Sequence, residues 1–230
     1  MASAPFVACL LLRLGIVGGA TQNCAFCDAP LDMEGVHHTT CKHNGLAKVR
    51  HDGITQAVAV LARSAGYTVA VEPTNLVAGT RLKPADVGIH GFTNGPLISC
   101  VDVTVRSPTC PTYLVMGQEP GAVARQADAD KRRKYGQQVV IPFAMETYGT
   151  LSPSARFVLK KLVTNMIAVS PDLDQESVKM QRMYCLQRIS IALQKGNAQM
   201  ILLCGDSMSA WRRTFDVHAP VVDIRAAEAD

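Results

Sequence analysis

The chain has 230 residues, of which 48% are hydrophobic, so it can bury a sizeable core and is not an intrinsically disordered protein. Its formal net charge of +4 permits an acidic partner such as nucleic acid but does not require one. Its eight cysteines are too sparse for a secreted disulfide framework, which indicates a reducing compartment, the cytosol or the nucleus.

Residues 1–21 are predicted to form a short N-terminal helix followed by a linker. The helix covers residues 4–16, "APFVACLLLRLGI", where Arg13 interrupts the apolar run. A signal peptide would begin with a basic region, which this run lacks, so an amphipathic helix is the better interpretation. No apolar run in the sequence is long enough to span a membrane, and no membrane partner is expected.

Residues 22–46 are polar and hold a group of cysteines and histidines in the run "CAFCDAPLDMEGVHHTTC". The spacing is C-x2-C-x9-H-x3-C, in which a C-x-x-C turn presents two thiolates and the loop returns a second pair of ligands. It predicts a zinc knuckle with four ligands: Cys24, Cys27, His37 and Cys41. His38 or His43 could replace His37, and free cysteines or a redox C-x-x-C are the alternative interpretations. Because four protein ligands leave no open coordination position, the predicted zinc is structural or positions nucleic acid.

Residues 47–150 are predicted to form an α/β core in the order helix, three strands, helix, strand. Apolar residues at helical spacing place the first helix in "RHDGITQAVAVLARSAG", with Asp52 as its cap and Gly66 at its end. His51 is expected to cap this helix or to pack against the zinc loop. The three strands are "YTVAVEP", "ADVGIHGF" and "LISCVDVTVR", of which the last two are joined by the hairpin turn "TNG".

A second core helix and a helical C-terminal extension complete the predicted elements. The second helix runs from about Pro120, a favoured first-turn residue, to Gln138, and "QVVIPFAMETYG" is the fourth strand. The extension covers residues 151–230 and opens at Ser152 with a cap followed by a proline. Its helices are predicted over residues 154–169 and 173–203.

Two aspartates stand in the otherwise apolar hairpin, Asp86 at the start of one strand and Asp102 on its partner. Carboxylates are rarely placed in a sheet without a partner, and two close carboxylates repel unless a cation lies between them. Hard oxygen ligands on a rigid sheet suit Mg²⁺, which can assist phosphodiester cleavage. Glu72, at the end of the preceding strand, could add a third carboxylate. The alternative is that the aspartates cap strand ends or form surface pairs.

The basic run "KRRK" in the second core helix offers a cationic partner for these carboxylates. Lys131, Lys134 and Tyr135 fall at positions i, i+3 and i+4 and therefore share one face of the helix. If that face meets the sheet, an ammonium group can neutralise charge that develops on a phosphate. The alternatives are a solvent-exposed face or a nuclear localisation signal.

The sequence resembles a region found downstream of reverse transcriptase in non-LTR-retrotransposon-like proteins. That region combines a Cys-Cys-His-Cys zinc motif with a restriction-like endonuclease of the PD-(D/E)xK type, and the resemblance covers about residues 5–165. It implies a restriction-endonuclease-like fold, Zn²⁺ and Mg²⁺ as cofactors, DNA and an element's RNA as partners, and the nucleus as the location. The implied activity is nicking of target DNA, so that the RNA can be copied at the nick. The runs that carry the resemblance are "CAFC", "GVHHTTC", "RHD", "VEP", "RLKPADVGI", "VDVTV", "KRRKY" and "IPFAMETYG".

The resemblance also implies which acids are catalytic. The run "KPAD" supplies the first, Asp86, with one residue inserted into the family's lysine-proline-aspartate run. The run "DVTV" supplies the second, Asp102. Glu72 matches the family pattern only loosely.

The lysine of the motif departs from the general pattern. Thr104 stands two residues after the second acid, where a lysine is expected. The retrotransposon members carry this lysine on the following helix, where the chain has Lys131 and Lys134 beside Tyr135. The chain has no Tyr-x-Asp-Asp motif of a reverse transcriptase. Two alternatives are therefore an inactive zinc-containing relic that binds nucleic acid, and a scaffold protein that oligomerises through its C-terminal helices.

Overall fold

A computed structural model of the chain describes residues 3–17, 22–43, 45–73, 85–135, 140–170 and 174–204. Within these residues the protein is a mixed α/β structure with a four-stranded sheet. The helices are Ala4–Leu14 (α1), Val36–Thr40 (α2), Leu46–Ser64 (α3), Ala122–Tyr135 (α4), Pro153–Ala168 (α5) and Gln175–Cys204 (α6). The strands are Val69–Val71 (β1), Val87–His90 (β2), Ile98–Arg106 (β3) and Val140–Glu146 (β4). Two short 3-10 helices lie between β3 and α4, Pro111–Tyr113 and Met116–Gln118.

The strands lie in the order β1-β2-β3-β4, with β2 antiparallel to both of its neighbours and β4 parallel to β3. A parallel pair needs a crossover connection, and α4 provides it. In the register of β2 and β3, Val87 pairs with Val101. Extending this register by one residue places Asp86 directly across from Asp102. The Cβ atoms of residues that face each other in this way lie about 5 Å apart. The predicted order of helix, three strands, helix and strand is confirmed within the described residues.

Different helices cover the two faces of the sheet. Val101 and Val103 of β3 belong to the main hydrophobic core, together with residues of α3, α5 and α6. Cys100 packs instead with Tyr135 of α4. Because successive strand residues point to opposite faces, Asp102 lies on the same face as Cys100, the one that α4 covers.

The predicted cap of α5 is confirmed, whereas the predicted cap of α3 is wrong. The Ser152 hydroxyl accepts a hydrogen bond from the backbone N–H of Ala155 at 3.2 Å, and a proline stands in the first turn. α3 begins at Leu46, so Asp52 lies inside the helix and not at its start. There its carboxylate pairs with Lys48 at 2.6 Å, one helical turn earlier.

Other helix boundaries fall close to their predicted positions where the structure describes them. Gly66 follows the end of α3 with a φ of 81°, the left-handed conformation that ends helices. α4 begins at Ala122, shortly after Pro120. The predicted end of the second core helix at Gln138 and the predicted start of the last helix at residue 173 lie outside the described residues. Among the helices of the described residues, none has the length and apolarity needed to cross a bilayer.

The longest helix, α6, packs against both α1 and α3. Gly196 lets its backbone approach α3 closely, since a Cβ at this position would lie 2.5 Å from the Cβ of Arg50. The neighbouring Asn197 side chain accepts a hydrogen bond from Arg50 Nη1 and donates one to the carbonyl oxygen of Thr147, both at 2.9 Å. We call these three residues the Arg50–Asn197–Thr147 clamp. All three are buried, and burial lowers the pKa of Arg50 to about 10.

Gly196→Ala is expected to lower the free energy of unfolding by about 1–3 kcal/mol, because the new Cβ would overlap Arg50 at the helix contact. Gly53→Ala is the matched control, since Gly53 lies in α3 and a Cβ there meets nothing within 4 Å. That control should raise stability by about 0.5–1 kcal/mol through the helix preference of alanine. Urea unfolding followed by circular dichroism measures both changes. Equal stability of the two variants would contradict the close helix contact.

Candidate functional site

Four side chains of the polar N-terminal segment come together in one cluster. The ligand atoms of Cys24, Cys27, His37 and Cys41 all lie within 4.8 Å of one another. The Sγ of Cys41 is 3.8 Å from that of Cys24 and 3.9 Å from that of Cys27, while Cys27 Sγ is 3.3 Å from His37 Nε2. Sulfur ligands about 2.3 Å from a tetrahedral zinc ion would be about 3.8 Å apart. The cluster could therefore hold a metal ion, and it is made of the four predicted ligands.

Short backbone elements hold these ligands in place. The chain turns tightly after Cys24, whose carbonyl oxygen accepts a hydrogen bond from the N–H of Asp28 at 2.9 Å. The Asp32 carboxylate accepts hydrogen bonds from the N–H groups of Val36 and His37 in the first turn of α2, both at 2.6 Å. These bonds fix the start of the short helix that carries His37.

Of the three candidate histidines, His37 is the one that belongs to the cluster. His38 is buried, and its Nδ1 has no hydrogen-bond partner among the described residues. Burial lowers the pKa of His38. His43 is exposed. The structure therefore selects His37 among the alternatives that the sequence leaves open.

The cluster contains thiols with very different proton affinities. Burial raises the pKa of Cys24, but hydrogen bonds from the backbone N–H groups of Phe26 and Cys27, and from His37, outweigh it and bring the pKa to about 6. Burial and the neighbouring thiols raise the pKa of Cys41 to about 11. The thiolate is the form that binds metals, so Cys24 is already poised for ligation near neutral pH.

The C-terminal end of α6 closes one side of the cluster. Cys204 is fully buried and packs against Cys24 and Cys41. Its carbonyl oxygen accepts a hydrogen bond from the N–H of Ala25 at 3.1 Å, and its thiol lies 3.7 Å from the carbonyl oxygen of His38. The described residues 22–43 of the predicted knuckle are thereby attached to the helix that packs on the core.

The second group of functional side chains surrounds Asp86 and Asp102. Asp86 stands immediately before β2, and its Oδ2 accepts a hydrogen bond from the N–H of Val103 at 2.6 Å. Asp102 lies within β3 and is buried. The strand register sets Asp86 opposite Asp102, and the Asp86 carboxylate bonds the residue that follows Asp102. The predicted proximity of the two aspartates is therefore present in the structure.

Burial and mutual repulsion act differently on the two carboxyl groups. Burial raises the pKa of Asp86, but hydrogen bonds from His51 and from the N–H of Val103 outweigh it and hold the pKa below its usual range. Burial raises the pKa of Asp102 above its usual range; the Lys131 ammonium opposes this effect, and the negative charge of Asp86 adds to it. A proton or another cation is thus favoured between the two groups.

Of the two candidate lysines, Lys131 reaches the carboxylates. Its ammonium lies 2.6 Å from Asp102 Oδ2, and only 22% of its side chain is exposed. The ammonium of Lys134 lies instead over the ring of Tyr135, 4.5 Å from the centroid. The ring of Tyr135 is 5.9 Å from the Lys131 ammonium. The three predicted residues of α4 are near one another, and of its two candidate lysines Lys131 is the one that pairs with an aspartate of the described residues.

The two arginines of the "KRRK" run make structural contacts. Arg132 pairs with Asp128 at 2.9 Å and donates a hydrogen bond to the Ser154 hydroxyl at 2.6 Å, which joins α4 to α5. Arg133 lies 3.6 Å from Asp130 at the surface. The run is therefore divided between the carboxylate pair, the neighbouring helix and solvent, and is not one uniform exposed face.

Glu72 lies beside the pair through its backbone. Its N–H donates a hydrogen bond to the carbonyl oxygen of Asp86 at 2.8 Å, and its φ of 47° turns the chain at the end of β1. Its carboxylate lies 3.9 Å from the Lys48 ammonium. The structure thus places this predicted third acid next to Asp86, with its side chain directed toward α3.

His51 is a site residue that the sequence did not assign, and the prediction that it caps α3 or contacts the zinc loop is wrong. Its Nε2 lies 3.0 Å from Asp86 Oδ2, and its Nδ1 lies 3.1 Å from Asp52 Oδ1. Asp86 raises the pKa of His51 through this contact, against the opposing effect of burial. The adjacent pair "HD" was visible in the sequence, but the direction in which α3 presents it was not.

Comparison with known proteins adds no family assignment. No protein-family model matches the chain, and no curated protein is found to match it. The chemistry of the site is therefore inferred from two carboxyl groups, an ammonium and an imidazole that meet at the sheet, together with a separate cluster of three thiols and one imidazole.

Proposed function

We propose that the protein is a metal-dependent DNA endonuclease that nicks its target, with Asp86, Asp102 and Lys131 at the centre of its active site. The convergence of these three side chains carries the proposal, since Asp86 and Asp102 face each other across neighbouring strands and the Lys131 ammonium lies 2.6 Å from Asp102. The order of helix, three strands, helix and strand supports a restriction-endonuclease-like core over residues 47–150. The resemblance to the endonuclease region of non-LTR-retrotransposon-like proteins supports the same activity.

The carboxylate pair fits a hard divalent cation. Oδ2 of Asp102 is shielded from solvent and accepts no hydrogen bond of normal geometry from the described residues, although the Lys131 ammonium lies close to it. Such hard carboxylate oxygens are the protein ligands that Mg²⁺ prefers. Asp86 and Asp102 would hold the ion, with Glu72 assisting from the end of β1. When bound, Mg²⁺ supplies Lewis acidity for phosphodiester hydrolysis.

The residues of α4 act on the phosphate. The Lys131 ammonium stabilises the negative charge that develops on the attacked phosphate group, a contribution that is large in a partly desolvated site. Tyr135 orients the phosphate, and the Lys134 ammonium over its ring holds the side chain in place. These roles assign Lys131 as the lysine of the motif, because it is the one that lies beside Asp102.

The cysteine–histidine cluster is the proposed zinc site. Three thiols and one imidazole are a ligand set typical of structural Zn²⁺, and the sulfur separations near 3.8 Å suit tetrahedral coordination. Four protein ligands would leave no open coordination position, so a zinc ion held there would be structural or would position nucleic acid.

The proposed partner is DNA, with an element's RNA as a second partner that the resemblance implies. The basic net charge of +4 suits contacts to phosphates, which position a protein on a duplex without reading its bases. A DNA target places the protein in the nucleus. The proposed origin of the chain is the endonuclease region of a non-LTR-retrotransposon-like reverse transcriptase protein.

Nicking of supercoiled plasmid in Mg²⁺ or Mn²⁺ tests the proposal directly. Zinc-loaded protein is expected to convert the plasmid to open circles, and Lys131→Met to lower the rate by about 100-fold because it removes the charge near the phosphate. Lys134→Met should lower the rate less, since Lys134 contacts Tyr135. Lys179→Met, at an exposed pair with Glu176, is the control and should nick normally. A larger loss in Lys134→Met than in Lys131→Met would contradict the assignment.

A nucleic-acid-binding relic is the second candidate function. It is favoured by Thr104, which stands where the general motif has its lysine, and by the ammonium that already neutralises Asp102. It predicts that folded, zinc-loaded protein binds DNA without nicking it in either metal. It also predicts that binding survives Asp86→Ala, because phosphate contacts would not depend on that carboxylate.

A further inference from the structure

His51 lies in a chain of charged groups that runs from the surface to the carboxylate pair. The Lys48 ammonium lies 2.6 Å from Asp52 Oδ2, and Asp52 Oδ1 lies 3.1 Å from Nδ1 of the imidazole. Nε2 on the far side of the ring lies 3.0 Å from Asp86 Oδ2. Both ring nitrogens are therefore engaged, and the ring is held between one acid of α3 and one acid of the sheet.

The Asp86 carboxylate receives two contacts from different elements on the same oxygen. The N–H of Val103 in β3 donates to Oδ2 at 2.6 Å, and His51 of α3 approaches the same atom. A carboxylate held by one contact can still rotate, whereas two contacts on one oxygen restrict that rotation. Groups that orient a metal-binding side chain in this way raise its affinity for the ion.

We propose that His51 is a positioning residue that fixes the Asp86 carboxylate for cation binding, with Asp52 fixing the imidazole ring in turn. This inference rests on the proposed function, because it assigns Asp86 to a cation site. It makes His51 the fourth residue of the site. His51 lies on α3, whereas the other three residues belong to the sheet and α4.

The role of His51 is separate from the packing of α3. The core contacts of this helix are made by Ile54, Val58 and Leu61, each of which is fully buried. The His51 side chain is 31% exposed and lies at the edge of that core. Replacing His51 is therefore expected to leave α3 folded and to change only the orientation of the Asp86 carboxylate.

The test measures metal affinity and cleavage separately in zinc-loaded protein. Mn²⁺ binding is followed by isothermal titration calorimetry, and plasmid nicking is followed as a function of Mn²⁺ concentration. His51→Ala is expected to raise the Kd for Mn²⁺, and the Mn²⁺ concentration for half-maximal nicking, by about 10–100-fold. The rate at saturating Mn²⁺ should change much less. His51→Gln, which keeps a donor near Nε2, should recover much of the affinity, and Asp52→Asn should weaken it less than His51→Ala.

His90→Ala is the matched control, since His90 is a half-buried histidine on β2 whose removal should leave Mn²⁺ affinity unchanged. An unchanged Kd in His51→Ala, or an equal loss in His90→Ala, would overturn the positioning role. Failure of the proposed function gives a different result: wild-type protein would not nick, and its Mn²⁺ binding would not respond to Asp102→Asn. The two failures are therefore distinguishable.

Discussion

Asp102→Asn is expected to reduce plasmid nicking by at least about 100-fold, because replacing even the neighbours of metal ligands costs 10–100-fold. Asparagine keeps the shape of the side chain, so the buried position in β3 remains filled. It removes the negative charge that the proposed Mg²⁺ site and the Lys131 ammonium both need. Initial nicking rates over a range of Mg²⁺ and Mn²⁺ concentrations measure the loss.

Asp130→Asn is the matched control for this substitution. Asp130 lies on α4 and pairs with Arg106 at 2.8 Å. Its replacement by asparagine removes one negative charge, as Asp102→Asn does. The Asp130→Asn protein should nick at nearly the wild-type rate, since this ion pair lies near the surface and such pairs contribute little to stability. Gel-shift measurements should show that both variants bind DNA as wild type does. Wild-type nicking by folded Asp102→Asn would contradict the active-site assignment.

Cys41→Ser is expected to have the largest effect on stability. Cys41 is the thiol that lies next to both Cys24 and Cys27, and its loss breaks the four-ligand set. Structural zinc contributes about 10–16 kcal/mol to the folding of small zinc domains. Even a loss of about 3 kcal/mol would lower the Tm by roughly 6–12 °C in a protein of this size. Zinc content per chain and thermal unfolding measure the change.

Cys110→Ser provides the control for the loss of a thiol. Cys110 is half-buried and lies outside the cluster, in the region between β3 and α4. The Cys110→Ser protein should retain one zinc ion per chain and the wild-type Tm. A chelator added to wild-type protein should reproduce the effect of Cys41→Ser. A Cys41→Ser protein with full zinc content and an unchanged Tm would contradict the zinc assignment.

The features that could be predicted from the sequence are those set by local spacing. The cysteine and histidine positions follow from C-x2-C-x9-H-x3-C, and the α/β order follows from periodicity and turn residues. The proximity of Asp86 and Asp102 follows from a hairpin, because its register depends on a short connection. Each of these rests on residues that are close together in the chain.

The features that could not be predicted depend on how distant elements pack. Lys131 and Lys134 are one helical turn apart, and only the rotation of α4 on the sheet decides which one meets Asp102. The direction of His51 depends in the same way on the packing of α3. The contact of Arg50 with Asn197 joins residues 147 positions apart, so no local pattern could reveal it.

The Arg50–Asn197–Thr147 clamp limits how this protein can be divided or recombined. Arg50 directly precedes His51 in α3, and Asn197 lies in the helix whose end contacts the knuckle. A chimaera that joined this knuckle and α6 to a foreign core would leave the buried Asn197 amide without its Arg50 donor, at a cost of about 1–3 kcal/mol. Recombination between related proteins would therefore have to transfer the knuckle, the facing turn of α3 and the end of α6 together.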